Sequence, residues 1–146
     1  VWRAPDGHGV RWLDWPAALA APTQARGSIL FMPGRGDFYE KWLESLAHWH
    51  GQGWHVSAGC WRGQAGSGRL GRVPNSGHIA DFAEWVDDLA RFWADWAGSH
   101  PGPLVLVGHS MGGHIVLRAV IDDRLHPRPA ALVLSAPMLD VLPDAV

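Results

Sequence analysis

The stretch from Leu104 to Ile121 limits the possible folds more than any other part of the chain. Leu104–Val107 is a continuous apolar run of the kind buried on both faces of a parallel sheet, and Met111–Ile121 is an apolar run of helical length. Between and into them runs Gly108-His109-Ser110-Met111-Gly112-Gly113, a G-x-S-x-G pattern. So short a strand-to-helix connection holds its serine on a sharp, strained turn above the sheet, and glycines two before and two after remove the Cβ atoms that would block the approach. A serine hydroxyl alone is a weak nucleophile. It needs a histidine base oriented by a carboxylate, and the carbonyl oxygen that becomes negative needs two preorganised N–H donors. The Met111 backbone N–H, at a helix N-terminus where the dipole favours an anion, is one candidate donor. Ser110 is therefore the candidate nucleophile, weighed against a glycine-rich turn with an inert serine.

The rest of the chain alternates strand and helix. Val1–Ala4 and Val10–Trp15, either side of Asp6-Gly7, predict an N-terminal β-hairpin. Pro16 to Gly27 is a connector, and Ser28-Ile29-Leu30-Phe31-Met32 a buried strand broken by Pro33-Gly34-Arg35-Gly36. Asp37 with Glu40 three positions on has the spacing of a reciprocal N-cap, so a helix is expected from about Asp37 to His50. Trp54 to Cys60 reads as a strand and the glycine-rich stretch Trp61 to Gly77 as a loop of functional length. Ile79, Phe82, Val86, Leu89, Trp93 and Trp96 form the stripe of a long amphipathic helix that His78 opens, and Ala130–Leu134 is a further strand. Such alternation predicts a mostly parallel sheet with helices on both faces.

Several stretches are similar to one family: the Ser110 motif, Pro33-Gly34-Arg35-Gly36-Asp37-Phe38-Tyr39-Glu40-Lys41-Trp42, Trp61-Arg62-Gly63-Gln64 with Gly66-Ser67, Gly77-His78-Ile79 with Asp81-Phe82, and Leu134-Ser135-Ala136-Pro137-Met138. Together they resemble the lysophospholipase and monoacylglycerol-lipase branch of the α/β-hydrolases, the serine aminopeptidase-like hydrolases, over nearly the whole chain. The resemblance implies the α/β-hydrolase fold and cleavage of a carboxylic ester, an acylglycerol or lysophospholipid, through an acyl-enzyme on Ser110. Other esters, peptides or lactones are the alternatives. It implies the Arg35 backbone N–H as the second oxyanion donor and no cofactor. Pro33-Gly34 stands where the branch often has His-Gly, which leaves a backbone donor intact. Cys60 stands where an Asp is usual, which bears on packing of the Arg62 loop.

In this family the cap and the catalytic Asp and His follow later strands. Residues 1–146 are therefore expected to be the N-terminal part of a single domain truncated after about the sixth strand, with its acid and base beyond Val146. The start at Val1, without methionine or a charged-then-apolar leader, is read as processing or as a piece of a longer chain. Alone, the segment is expected to be nearly inactive and to expose a strand edge after Leu134. The rival from another class is a non-catalytic hydrolase-fold module.

Other residues receive plainer readings. Asp140, just past the last strand, is a cap-hinge or surface residue rather than the catalytic acid. His109 points away from the nucleophile, and His114 is a helix-face histidine rather than the base. His48 and His50 diverge on their helix, and with His55 they lack a further ligand, so no metal site is expected. His78 is a cap or substrate-side polar group. Cys60 is a buried structural thiol rather than a nucleophile. Gly63 to Gly68 lacks the spacing of a dinucleotide loop. Among ten tryptophans, Trp42, Trp49, Trp93 and Trp96 are assigned to the core, while for Trp2, Trp12 and Trp15 an interfacial surface suited to lipid is the alternative.

Composition removes whole classes. Twelve basic residues against 14 acidic ones, net −2, argue against a nucleic-acid partner. One cysteine excludes an internal disulfide framework, and no apolar run approaches the ~20 residues of a membrane span. A small acyl ester or lipid is the expected partner, with peripheral lipid contact admitted and a cytoplasmic location the default expectation.

Overall fold

The computed structural model describes residues 1–18, 25–74 and 76–140. A two-stranded antiparallel hairpin, β1 (Trp2–Arg3) and β2 (Gly9–Val10), precedes a five-stranded sheet formed by β3 (Trp12–Trp15), β4 (Ser28–Met32), β5 (His55–Gly59), β6 (Leu104–His109) and β7 (Ala131–Ser135). The sheet order is β3-β5-β4-β6-β7, with β3 antiparallel on one edge and the other four parallel. The segment expected as one hairpin arm, Val10–Trp15, thus serves two sheets: Val10 closes the hairpin on Trp2, and Trp12 to Trp15 turn onto β5.

Central strand β4 is buried along its whole length, and its alternation decides which side each residue serves. Leu30 and Met32 face a core shared with Leu106, α2 (Phe82–Ala97) and α3 (Met111–Ile121). Ile29 and Phe31 face the opposite cluster, with Val56, Ala58 and Leu46 of α1 (Leu43–Gly51). Helices therefore cover both faces, as the alternation of elements predicts.

The helix expected from Asp37 begins later. Tyr39–Trp42 is a single 3-10 turn and the α-helix starts at Leu43, with no side-chain cap on either. Asp37 is diverted to other donors: its carboxylate accepts from the Phe38 N–H (2.9 Å) and Trp42 Nε1–H (2.8 Å) and pairs with Lys41. Glu40, the expected reciprocal partner, binds the Arg11 guanidinium instead. A long-range ion pair and an indole have outcompeted the local cap.

Helix α2 starts at Phe82, capped by Asp81, whose Oδ1 accepts from the Ala83 N–H at 2.8 Å, so His78 lies upstream of the helix rather than opening it. Its buried face is broader than the sequence stripe: Trp85 and Phe92 join Val86, Leu89, Trp93 and Trp96. Asp88 is buried on the same face because Arg62 reaches it with Nε (2.7 Å) and Nη2 (2.9 Å), while Nη1 and Nη2 also hold Asp6 of the hairpin turn. Asp6, held by Arg62 and the His8 N–H, ionises at about 2. This fork ties hairpin, loop and helix together, and the Arg62 carbonyl accepts Trp85 Nε1–H at 3.0 Å.

Trp2 and Trp12 pack edge-to-face on Phe92 at 5.6 and 5.4 Å and so extend the core; Trp15 stacks on His50 at 4.4 Å. Trp2 and Trp12 are half-buried at the margin of that core. No helix among the described residues is long and apolar enough to cross a membrane.

Replacing Arg62 by Met leaves the Asp88 carboxylate buried without its fork. Unfolding in urea should show a loss of about 3 kcal/mol, and a change under 1 kcal/mol would mean that the fork is dispensable.

Candidate active site

Ser110 sits at the C-terminal end of β6 with φ 53° and ψ −120°, a left-handed conformation that a non-glycine residue adopts only when the surroundings enforce it. The enforcement is visible in its backbone bonds. Its N–H donates to the Ser135 carbonyl at 3.0 Å, and its carbonyl accepts from the His114 N–H (3.1 Å) and the Met138 N–H (2.9 Å). Its side chain makes no capping bond to the helix it precedes. Met111 opens α3, so its N–H lies among the first-turn donors that have no carbonyl partner within the helix.

The flanking glycines are required for contact. A Cβ on Gly108 would meet Val116 Cγ2 at 2.5 Å and the Gly112 carbonyl oxygen at 2.8 Å; one on Gly112 would meet the Pro33 oxygen at 2.3 Å and the Met32 oxygen at 2.5 Å. Helix α3 is thereby seated directly on the end of β4. The turn after β4 comes against the serine in consequence: a Cβ on Gly34 would lie 3.1 Å from Ser110 Cβ and 3.5 Å from Oγ. Trp61 Nε1–H pins the Pro33 carbonyl at 2.7 Å, and the Gly36 N–H donates to Gln64 Oε1 at 2.7 Å. Arg35, the candidate second donor, is held between those two anchors.

Around this centre, a cleft of about 150 Å³ is lined by Arg35, Gly77, His78, Ile79, Phe82 and Trp85. A second, of about 340 Å³, is lined by Phe82, His114, Met138, Leu139 and Asp140. His114 and Asp140 thus share one cleft, with the His114 ring against Phe82 at 6.1 Å. His109 turns to the other side and packs on Trp42 at 4.8 Å, leaving its Nδ1 buried without a partner among the described residues. Cys60 is buried, burial pushes its thiol pKa up, and Arg11 reaches its sulfur at 3.7 Å. A thiol so placed is a poor nucleophile.

Sequence reasoning missed one cluster. By sequence His55 groups with His48 and His50, where no carboxylate completes a set. His50 instead bonds the Pro16 carbonyl at 2.8 Å, while His55 Nε2 (2.9 Å), His100 Nε2 (3.0 Å) and Ser57 Oγ–H (2.7 Å) converge on Asp14 Oδ1. Asp14, His55 and His100 offer ligand atoms within 4.8 Å of one another, so a metal could be held there. The cluster is joined to the core by Trp96, which donates to Ser57 Oγ at 2.9 Å and accepts His100 Nδ1–H at its carbonyl at 2.6 Å. His55 begins β5, in register with Ser28 at the start of β4, so this cluster lies at the opposite end of the sheet from Ser110. Only the β3–β5 register could have brought Asp14 opposite Ser57, and no local pattern reports it.

Residues 23–145 match the model of the family described as serine aminopeptidase, S33. The chain is 36% identical over 118 residues to lysophospholipase L2 of Escherichia coli K12, covering 78% of this chain and 33% of that protein. It is 32% identical over 111 residues to phospholipase YtpA of Bacillus subtilis, covering 76% of this chain and 40% of that one. It therefore spans well under half the length of these curated relatives. Among solved structures, a soluble variant of the Saccharomyces cerevisiae monoglyceride lipase superposes with a TM-score of 0.73 at 23% identity, covering 91% of this chain and 42% of the other. The α/β hydrolase GrgF of Penicillium sp. sh18 gives 0.73 at 22%, covering 95% and 45%. The fold is that of the α/β-hydrolases.

Two outcomes follow. Gly112→Ala puts a methyl group into the Pro33 carbonyl, and thermal unfolding should register a loss of about 1–3 kcal/mol. For Asp14, burial opposes ionisation, but hydrogen bonds from His100, Ser57 and His55 outweigh it and hold the carboxyl well below its usual range. A depressed folded-state pKa gives stability that is present above the unfolded value of about 3.9 and lost as pH falls through the folded one. The melting-temperature gap between the native protein and Asp14→Asn should be open at pH 7 and narrow on acidification below that value. A gap that widens in acid would contradict the assignment.

Proposed function

Because the chain belongs to the serine aminopeptidase S33 family, we propose that its protein is a serine hydrolase of carboxylic esters, of the lysophospholipase or monoacylglycerol-lipase kind. The observation that carries this reading is the left-handed Ser110 at the start of α3 with the Gly34–Arg35 turn packed against it. A nucleophile and two backbone donors converging from β6 and β4 are what acyl transfer needs.

In the proposed reaction Ser110 Oγ attacks the ester carbonyl carbon while its proton passes to a histidine. The N–H groups of Met111 and Arg35 receive the oxyanion. Collapse of the tetrahedral intermediate breaks the bond to the alcohol, which leaves with the proton from the histidine. Water, deprotonated by the same base, then attacks the acyl-serine and releases the acid, restoring the Ser110 hydroxyl. In this reading residues 1–146 are the N-terminal part of one domain, and the histidine and its orienting aspartate come from beyond Val146. The names of the curated relatives support a lipid ester as substrate.

A fluorophosphonate probe should label the full-length protein at Ser110, and Ser110→Ala should lower ester turnover by on the order of 10⁴-fold or more. Residues 1–146 alone should turn over a short-chain nitrophenyl ester barely above background. Ser110-dependent turnover by that segment would overturn the assignment of the base beyond it, and full activity in Ser110→Ala would overturn the nucleophile.

A further inference from the structure

Beside the Gly34–Gly36 turn, a cleft of about 520 Å³ is lined by Arg35, Gly36, Gln64, Arg69, Ser76 and Gly77. Its side chains offer hydrogen-bond donors almost without exception, and no carboxylate among the described residues lines it. Gln64 is 1% exposed, and its Oε1 accepts from the Gly36 N–H, which fixes the orientation of the amide and leaves Nε2–H₂ as its donor side. That Nε2 and the Ser76 Oγ are buried with no partner among the described residues. Buried polar groups are otherwise nearly always satisfied, so two orphans on one cleft are groups that the acceptor oxygens of a ligand would satisfy.

The charges agree with the donors. Arg11, Arg62, Arg118, Arg124 and Arg128 each pair with a carboxylate, whereas Arg35 and Arg69, like Arg3, Arg26, Arg72 and Arg91, have no carboxylate partner among the described residues. Arg69 is nevertheless fixed, because its Nη1 donates to the carbonyls of Gly63 (3.2 Å), Ala65 (3.1 Å) and Gly68 (3.0 Å). A guanidinium anchored through one nitrogen, with no counter-ion, is suited to an oxyanion rich in acceptors. The cleft is also near the nucleophile: Gly34 touches Ser110 and Gly36 is bonded to Gln64, and two residues span at most about 7.6 Å. A phosphate separated from an acyl ester by a glycerol unit lies at a comparable distance.

We propose that this cleft is an anionic headgroup subsite that takes the phosphodiester of a lysophospholipid while the acyl ester lies at Ser110. Arg69 and Arg35 supply the charge, and Gln64 Nε2 and Ser76 Oγ donate to the phosphate oxygens. The inference rests on Ser110 being the nucleophile, and within that reading it selects a lysophospholipid over a neutral monoacylglycerol.

The test uses the full-length protein with a lysophosphatidylglycerol and a 1-monoacylglycerol of the same acyl chain. The native protein should favour the phospholipid, and Arg69→Ala should lower the ratio of the two kcat/KM values about tenfold, mainly through KM for the phospholipid. Ser76→Ala should lower the ratio in the same sense. An unchanged ratio, or an equal fall on both substrates, overturns the proposal. Equilibrium binding to Ser110→Ala protein separates the subsite from the nucleophile: the phospholipid and glycerol 3-phosphate should bind, and Arg69→Ala should weaken both. Binding of inorganic phosphate without discrimination between the two lipids would mark a free-anion site and overturn the headgroup assignment. If Ser110→Ala keeps full turnover while Arg69 still governs phosphate binding, the nucleophile reading fails and the anion site survives.

Discussion

The arrangement at the serine depends on one close approach, that of Gly112 to the end of β4. The first turn of α3 rests on the carbonyls of Met32 and Pro33 with no room for a single methyl group. That contact fixes the height of the helix over the sheet and pulls the Pro33–Gly36 turn against Ser110. It also requires the strand before the serine to end abruptly, which the left-handed Ser110 accomplishes. Strain at one residue is thus the geometric counterpart of tight packing at another, and both are maintained by bonds from Ser135 and Met138 at the neighbouring strand end.

A second layer of support comes from the loop after β5. Trp61 fixes Pro33, Gln64 fixes Gly36, and Arg62 between them anchors the loop to Asp88 of α2 and Asp6 of the hairpin. Three residues of one loop therefore hold the candidate oxyanion turn, a helix face and the N-terminal hairpin. Cys60, where the family resemblance leads one to expect an acidic residue, is buried beneath the Arg11–Glu40 pair, so its place adjoins a charged group without adding a charge.

Legibility in the sequence followed the range of the forces involved. Strands β4 and β6, helix α3 and the serine turn were readable because each is set by neighbours a few residues away. Asp37 misled because its local pattern is that of a cap, while the Trp42 indole and Lys41 compete for the same carboxylate. Asp88 is buried through Arg62, which arrives from a separate loop that nothing near Asp88 in sequence reveals. Asp14, His55 and His100 come together only through the register of an antiparallel edge strand and the end of α2. The Gln64 nitrogen, without a partner among the described residues, is equally silent, because the amide is oriented by a glycine N–H from another loop.

The strand order carries a consequence for the order of assembly. β5 follows β4 closely and β3 precedes both, so β3, β5 and β4 can pair as soon as the chain has passed Gly59. The other side of β4 is complementary to β6, which begins only at Leu104, after the long loop and all of α2. During synthesis this strand, buried along its whole length in the fold, therefore waits with one unpaired edge and one uncovered face. Helix α2, made in that interval, brings Trp85, Trp93 and Trp96 to the same face of β4 and is the element able to shelter it until β6 arrives.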